Sequence, residues 1–262
     1  MSVLLLDRDI LHYEVLGRGR PILFLHGWVG SWRYWIPAMQ TISTSFRAYA
    51  VDLWGFGDSA RAARRYTLEQ QAGLIDHFLE QMGIGRVALV GHGLGAILAM
   101  QYALKRPELI DRLVAVSLPL EPGMLNPRMR QAAPAELADW LLGQLPPTEP
   151  ALVDAPRADP QAVQVSLSDF QAVNLRDALH SFQTPCLLVN GQADPAVSLP
   201  RFDNGLALPY QTHAIVFEGS GHFPMLDEAN KFNRLLSDFL ALDTSLSPTE
   251  LQLKEEWKRR VR

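Results

Sequence analysis

Residues 87–100 read VALVGHGLGAILAM. An apolar run, Val87–Val90, enters a cluster of glycines and leaves as an apolar stretch with helical spacing. Two turns fit this pattern. Gly91, Gly93 and Ala96 match the G-x-G-x-x-A loop that wraps a dinucleotide pyrophosphate. Gly91, Gly93 and Gly95 match the G-x-S-x-G strand-to-helix turn that presents a nucleophilic serine, with glycine where the serine would stand.

The surroundings discriminate between them. Short β-rich runs alternate with helical patterns along most of the chain, at Tyr13–Leu16, Ile22–Leu25, Arg47–Val51, Val87–Val90, Leu113–Val116, Leu187–Val189 and Ala214–Phe217. Between the third and fourth runs, Leu68, Ala72, Ile75, Leu79 and Met82 trace a half-buried helical face that Gly83 and Gly85 end. A further helix runs from Leu94 to about Arg106 and stops before Pro107. Alternation of this kind predicts an α/β fold with a mostly parallel, doubly wound sheet. A dinucleotide loop follows the first strand, with an acid closing the next one. Here the turn follows the fourth, the next strand closes on Ser117, and Asp111 precedes that strand. The dinucleotide reading fails on context.

Other segments support the second turn. His26-Gly27-Trp28 follows the strand ILFL, and DLWGFGDS spans Asp52–Ser59. PCLLVNGQADP carries Asp194 just beyond a strand, and GSGHFPMLDEANKFNRLLSDFL carries His222 ahead of a helix. Together, over about residues 10–242, these segments resemble the α/β-hydrolase fold in content and chain order. The resemblance implies that Asp194 and His222 are the acid and base of a triad, that Gly93 holds the nucleophile position, and that the N–H groups of Trp28 and Leu94 form an oxyanion hole. Ser31, Ser59, Ser117 and Ser220 lie near these motifs but not on the turn. His92 is expected to point away from the cleft into the core, and His26 to be a structural loop residue. Asp58 and Asp227 read as solvated or capping groups.

Residues 119–160 break the alternation and hold nine of the eighteen prolines. Their one expected helical stretch lies around Ala135–Leu142, and the insertion, about 119–180, is expected to lie over the C-terminal edge of the sheet as a Pro-rich lid. Trp28, Trp32, Tyr34, Trp35, Trp54, Phe56, Phe223 and, in the lid, Trp140 are placed around the cleft. Of these Trp32, Trp35, Trp140 and Phe223 are the expected pocket lining, suited to a small apolar ligand. The hydrolase domain is expected to end at residue 243. From 244 to 262, Ser247-Pro248-Thr249-Glu250 forms a capping box ahead of a basic amphipathic helix with Leu253, Trp257 and Val261 on its apolar stripe. Such a helix packs on its own domain or joins a second copy or another partner.

A net charge of −4 gives no basic field for nucleic acid. The opening MSVLLLDRD lacks the features of a signal peptide, and no apolar run is long enough to span a bilayer. The single cysteine, Cys186, excludes an internal disulfide and any multi-cysteine metal site. The expectation is a cytoplasmic protein that needs neither metal nor organic cofactor. Three activities fit: a ligand-binding protein with little or no ester hydrolysis; an enzyme using His222 and Asp194 as a general base on water or substrate without a covalent intermediate; and a serine hydrolase whose nucleophile has been replaced in this chain.

Overall fold

The structure, a computed structural model, describes residues 2–142, 148–201, 208–243 and 246–251. In chain order the elements are β1 (Ser2–Leu6), β2 (Asp9–Gly17), β3 (Arg20–Leu25), α1 (Ile36–Ile42), β4 (Phe46–Val51), α2 (Leu68–Gln81), β5 (Val87–His92), α3 (Leu94–Lys105) and β6 (Ile110–Val116). There follow α4 (Pro134–Leu141), α5 (Glu149–Asp154), α6 (Pro160–Phe170), α7 (Leu175–Leu179), β7 (Cys186–Gly191), β8 (Thr212–Phe217), α8 (Pro224–Asp227) and α9 (Ala229–Ala241). The sheet order is β1-β2-β4-β3-β5-β6-β7-β8. Pairing is antiparallel for β1–β2 and β2–β4 and parallel from β4 to β8. This is the mostly parallel doubly wound sheet expected from the alternation.

Burial explains the element types. All six residues of β5 and all six of β7 are buried, the continuous apolar signature of strands covered on both faces. Helix α3 is apolar nearly all round, burying nine of its twelve residues, and lies against β5 and β6. Helix α9 is amphipathic, burying Phe232, Leu235, Leu236, Phe239 and Leu240, and it pairs with α1. The Thr67 hydroxyl caps α2 by accepting from Gln70 N–H.

Two expectations need correction. Strand β1 escapes the alternation because SVLLL has no polar residue between its leucines, although in the edge hairpin Val3 and Leu5 are exposed while Leu6 is buried. The region between β6 and β7 is also far more helical than its prolines suggest. Besides α4, it contains α5, α6 and α7. In all of α4, α5 and α6 the proline stands in the first turn, where its missing N–H costs nothing; the residue before α6, Asp159, also caps Gln161 N–H.

The insertion is fastened to the sheet domain. Buried Asp154 receives the Ser31 hydroxyl, Arg33 at 2.9 Å and Arg157 at 3.1 Å, and Arg157 also bonds Asp58. Tyr66 donates to Asp159 at 2.7 Å, Leu68 N–H to Asp169 at 3.0 Å, and the Trp28 indole to Ser166 at 3.0 Å. Asp58 is thus an ion-pair partner of Arg157 and Arg33 rather than a solvated group. In the tail, Ser247 caps Thr249 N–H in one 3-10 turn, Pro248–Glu250, and Leu251 is already extended. The Leu253, Trp257 and Val261 stripe lies outside the described residues.

Candidate active site

The turn between β5 and α3 is tight because its flanking residues have no side chain to place. A Cβ at Gly95 would strike the Leu25 carbonyl oxygen of β3. Gly93, between strand and helix, has φ +50° and ψ −110°, a backbone that side chains rarely adopt. Its N–H donates to Val116 O at 3.0 Å, and its carbonyl accepts from Ala96 and Ile97 N–H at 3.1 Å. A Cβ here would lie 3.4 Å from Trp28 Cε3 and 3.7 Å from Gly27 Cα, ordinary contacts.

Asp194 and His222 come from loops that follow β7 and β8 and meet beside this turn. His222 Nδ1 lies 2.8 Å from Asp194 Oδ2, and both side chains are buried. The other carboxylate oxygen, Oδ1, accepts Ala196 N–H at 2.8 Å and Val197 N–H at 3.0 Å. Burial alone would raise the Asp194 pKa; the charge and hydrogen bond of His222, with these two N–H groups, overcome it and hold the carboxyl below its ordinary range. A carboxylate fixed on both oxygens orients the imidazole through Nδ1. The His222 carbonyl accepts His92 Nε2–H at 2.9 Å and the Ser117 hydroxyl at 3.1 Å. Ser117 is itself strained, at φ +48°.

His26 holds the loop that precedes the turn. Its Nδ1–H donates to Gly27 O at 2.8 Å and its Nε2 accepts Leu53 N–H at 3.0 Å. Burial lowers its pKa, which matches the neutral ring these two bonds require. A trans peptide directs its C=O and N–H oppositely, so clamping Gly27 O fixes the direction of Trp28 N–H. Among the described residues no protein acceptor takes Trp28 N–H or Leu94 N–H. These are the two donors expected to face a developing oxyanion.

The aromatic residues divide. Phe223 is buried with its ring 5.2 Å from that of His222. Trp35 is fully buried, between Phe24 of β3 and Phe232 of α9. Trp32 sits by His12 and beneath Arg33, and its main-chain N–H donates to Asp52. Trp140 lies under the Arg128 guanidinium in the insertion. Trp54 and Phe56 are fully buried as well. His92 is buried, as expected, but it also bonds the His222 main chain. Tyr34, whose role the sequence did not signal, bonds both Gly27 N–H and His92.

Two cavities of about 590 Å³ each open elsewhere, one along α2 and α3 and one between α2 and α6; neither is lined by Gly93, Leu94, Trp28 or His222. The turn itself is covered, with Trp28, Leu94 and His222 at most 2% exposed. Among the described residues, His12, Asp52 and Asp58 are the one acidic and histidine group close enough to share a metal ion; His12 and Asp52 bond each other, Asp52 also accepts main-chain N–H groups, and the Asp58 carboxylate is paired with Arg157 and Arg33. No described helix is long and apolar enough to cross a membrane.

Comparison with known proteins agrees with this architecture. The chain is 28% identical over 260 residues to a pimeloyl-[acyl-carrier protein] methyl ester esterase of Vibrio cholerae, covering 87% of this chain and 97% of that protein. It is 29% identical over 273 residues to a putative carbamate hydrolase, RutD, of Yersinia enterocolitica, covering 94% and 97%. An enol-lactonase from Burkholderia xenovorans superposes with a TM-score of 0.77 at 20% identity, covering 92% of this chain and all 100% of the other. A hydrolase from Pseudomonas aeruginosa superposes with a TM-score of 0.81 at 19% identity, covering 92% and 98%. The family model for the alpha/beta hydrolase family matches residues 22–235, and the chain belongs to that family.

Proposed function

We propose that this protein binds a small, largely apolar molecule bearing an ester or related acyl group beside Gly93, and hydrolyses it little or not at all. The reading is supported by a turn whose central residue, Gly93, has no side chain, by the Asp194–His222 pair, whose histidine main chain bonds the preceding residue His92, and by Trp28 and Leu94 N–H groups that no described protein acceptor takes. Without an attacking oxygen the acyl-enzyme route is closed; loss of such a nucleophile costs about a million-fold in turnover where that route operates. A carbonyl oxygen would still find the Trp28 and Leu94 donors. The relatives named as an ester esterase and a putative carbamate hydrolase support a ligand of this carbonyl class. The helical insertion, fastened by Asp154 and by Trp28 to Ser166, would act as a lid that shields the ligand from water.

A second reading rests on the 2.8 Å pair itself, since a binding protein has no chemical need for an oriented imidazole. There His222 removes a proton from water, the hydroxide attacks the bound carbonyl, and the oxyanion collapses with protonation of the leaving group by His222. Thermal unfolding and turnover with a series of short-chain acyl methyl esters test both. A bound ester at about 100 times its Kd adds about 2.7 kcal/mol, a Tm rise of about 5–11 °C, and is recovered unhydrolysed under the first reading. Steady turnover refutes the first reading. Turnover that persists equally in His222→Ala refutes the second.

A further inference from the structure

The loop at Gly27, the turn at His92-Gly93 and the segment at His222 come from three separate parts of the chain, yet two side chains join them. Gly27 N–H lies 2.6 Å from the Tyr34 hydroxyl, which lies 3.0 Å from His92 Nδ1; His92 Nε2 lies 2.9 Å from the His222 carbonyl oxygen. Tyr34 and His92 are both 1% exposed, so no water competes for these bonds.

The direction of every bond in this chain is fixed. A carbonyl oxygen only accepts, so His92 Nε2 carries a proton. Gly27 N–H only donates, so the Tyr34 oxygen accepts it and its own proton is free to go to His92 Nδ1. That completes the chain only if Nδ1 is unprotonated. A second ring proton would face the Tyr34 oxygen, which already accepts Gly27 N–H, and would leave the phenol proton without a partner in the core. Burial acts in the same sense: it pushes the His92 pKa well below and the Tyr34 pKa well above their ordinary values. The charged and titratable groups facing His92 are His222, Asp194 and His26.

We propose that Tyr34 and His92 are positioning residues, a one-way hydrogen-bonded relay that ties the Gly27-Trp28 loop to the main chain of His222 across the turn at Gly93. The relay sets two things at once. At one end it holds the peptide N-terminal to the Trp28 donor. At the other it supplies one of the two donors to the His222 carbonyl, the second being Ser117, so the ring is held at its main chain as well as at Nδ1. Neither residue can reach a bound carbonyl; both act through others. The inference rests on the reading that Asp194 and His222 form a poised pair, but its first readout requires no turnover.

That readout is nuclear magnetic resonance of the protein carrying nitrogen-15 histidine. In the wild type, His92 is expected to be neutral with its proton on Nε2 throughout pH 5–8, and the His222 Nδ1–H bonded to Asp194 is expected to give a sharp downfield proton signal. Tyr34→Phe should broaden or remove that signal, at temperatures far below unfolding. Ser117→Ala, which removes one donor from the same carbonyl, should do so to a smaller extent. Tyr49→Phe, a buried tyrosine outside the relay, should leave the signal in place. A His92 proton on Nδ1, a doubly protonated His92, or a His222 signal indifferent to both Tyr34→Phe and Ser117→Ala would overturn the proposal, and the wild-type tautomer decides it even if Tyr34→Phe does not fold. In a Gly93→Ser background, Tyr34→Phe should lower kcat on p-nitrophenyl acetate about 10- to 100-fold with KM within about twofold. If Gly93→Ser itself is inactive, the reading of a retained machinery fails while the resonance signals still decide the relay.

Discussion

Gly93→Ser tests the link between backbone and chemistry at one atom. The change places a Cβ 3.4 Å from Trp28 Cε3, 3.5 Å from Trp28 Cζ3 and 3.7 Å from Gly27 Cα, so no neighbour must move. What it costs is conformational. Glycine occupies φ +50° freely, whereas serine there is strained by about 1–3 kcal/mol. For a chain of this size that corresponds to a Tm lowered by about 2–12 °C. Gly93→Ala should lose as much stability and gain nothing in return. Gly93→Ser alone adds an oxygen at the turn, and it should hydrolyse p-nitrophenyl esters and become labelled by a fluorophosphonate that leaves the wild type unmodified. The assays are thermal unfolding by circular dichroism, initial rates, and intact mass after labelling. Unchanged or raised Tm in both variants would refute the strain argument. Covalent labelling of the wild type would refute the absence of a nucleophile, and labelling restored in Gly93→Ser but lost again in His222→Ala would place the base.

Two further outcomes follow from particular residues. Gly73 is inside α2 with open space where a Cβ would stand, so Gly73→Ala should raise unfolding free energy by about 0.5–1 kcal/mol without altering ligand binding, read as a higher denaturant midpoint at constant m. Burial lowers the folded-state pKa of His92 below its ordinary 6.5, so the unfolded chain takes up this proton first. The contribution of His92 is complete above about pH 6.5 and is lost as pH falls below it, by about 1.4 kcal/mol per unit. His12, raised by Asp52 against its own burial, has the opposite sign, its contribution disappearing as pH rises through its folded value. Replacing His92 by Gln should therefore flatten the acid limb of a stability–pH curve; an unchanged limb would show that His92 is not buried neutral.

Much of this molecule is legible in its chain. Alternating apolar runs and helical stripes give the parallel sheet because a strand buried on both faces has to be apolar throughout, as in β5 and β7. Gly91 and Gly95 mark the turn because a side chain at either would strike backbone atoms, and Gly93 because glycine meets no strain at its positive φ; the spacing of Asp194 and His222 from their strands follows the same logic of short loops at strand ends. The tertiary structure decided what local pattern cannot express. Prolines in first-turn positions look like loop residues until the helices they start are packed, which is why α5 and α6 were hidden. An aromatic side chain carries the same hydrophobic signal whether it lines a pocket or fills a core, so only the packed sheet placed Trp35 against Phe24 and Phe232. Tyr34 and His92 lie 58 residues apart, and His92 and His222 130 apart. Hydrogen bonds across such separations depend on where the sheet brings strand ends together, and no periodicity along the chain records that.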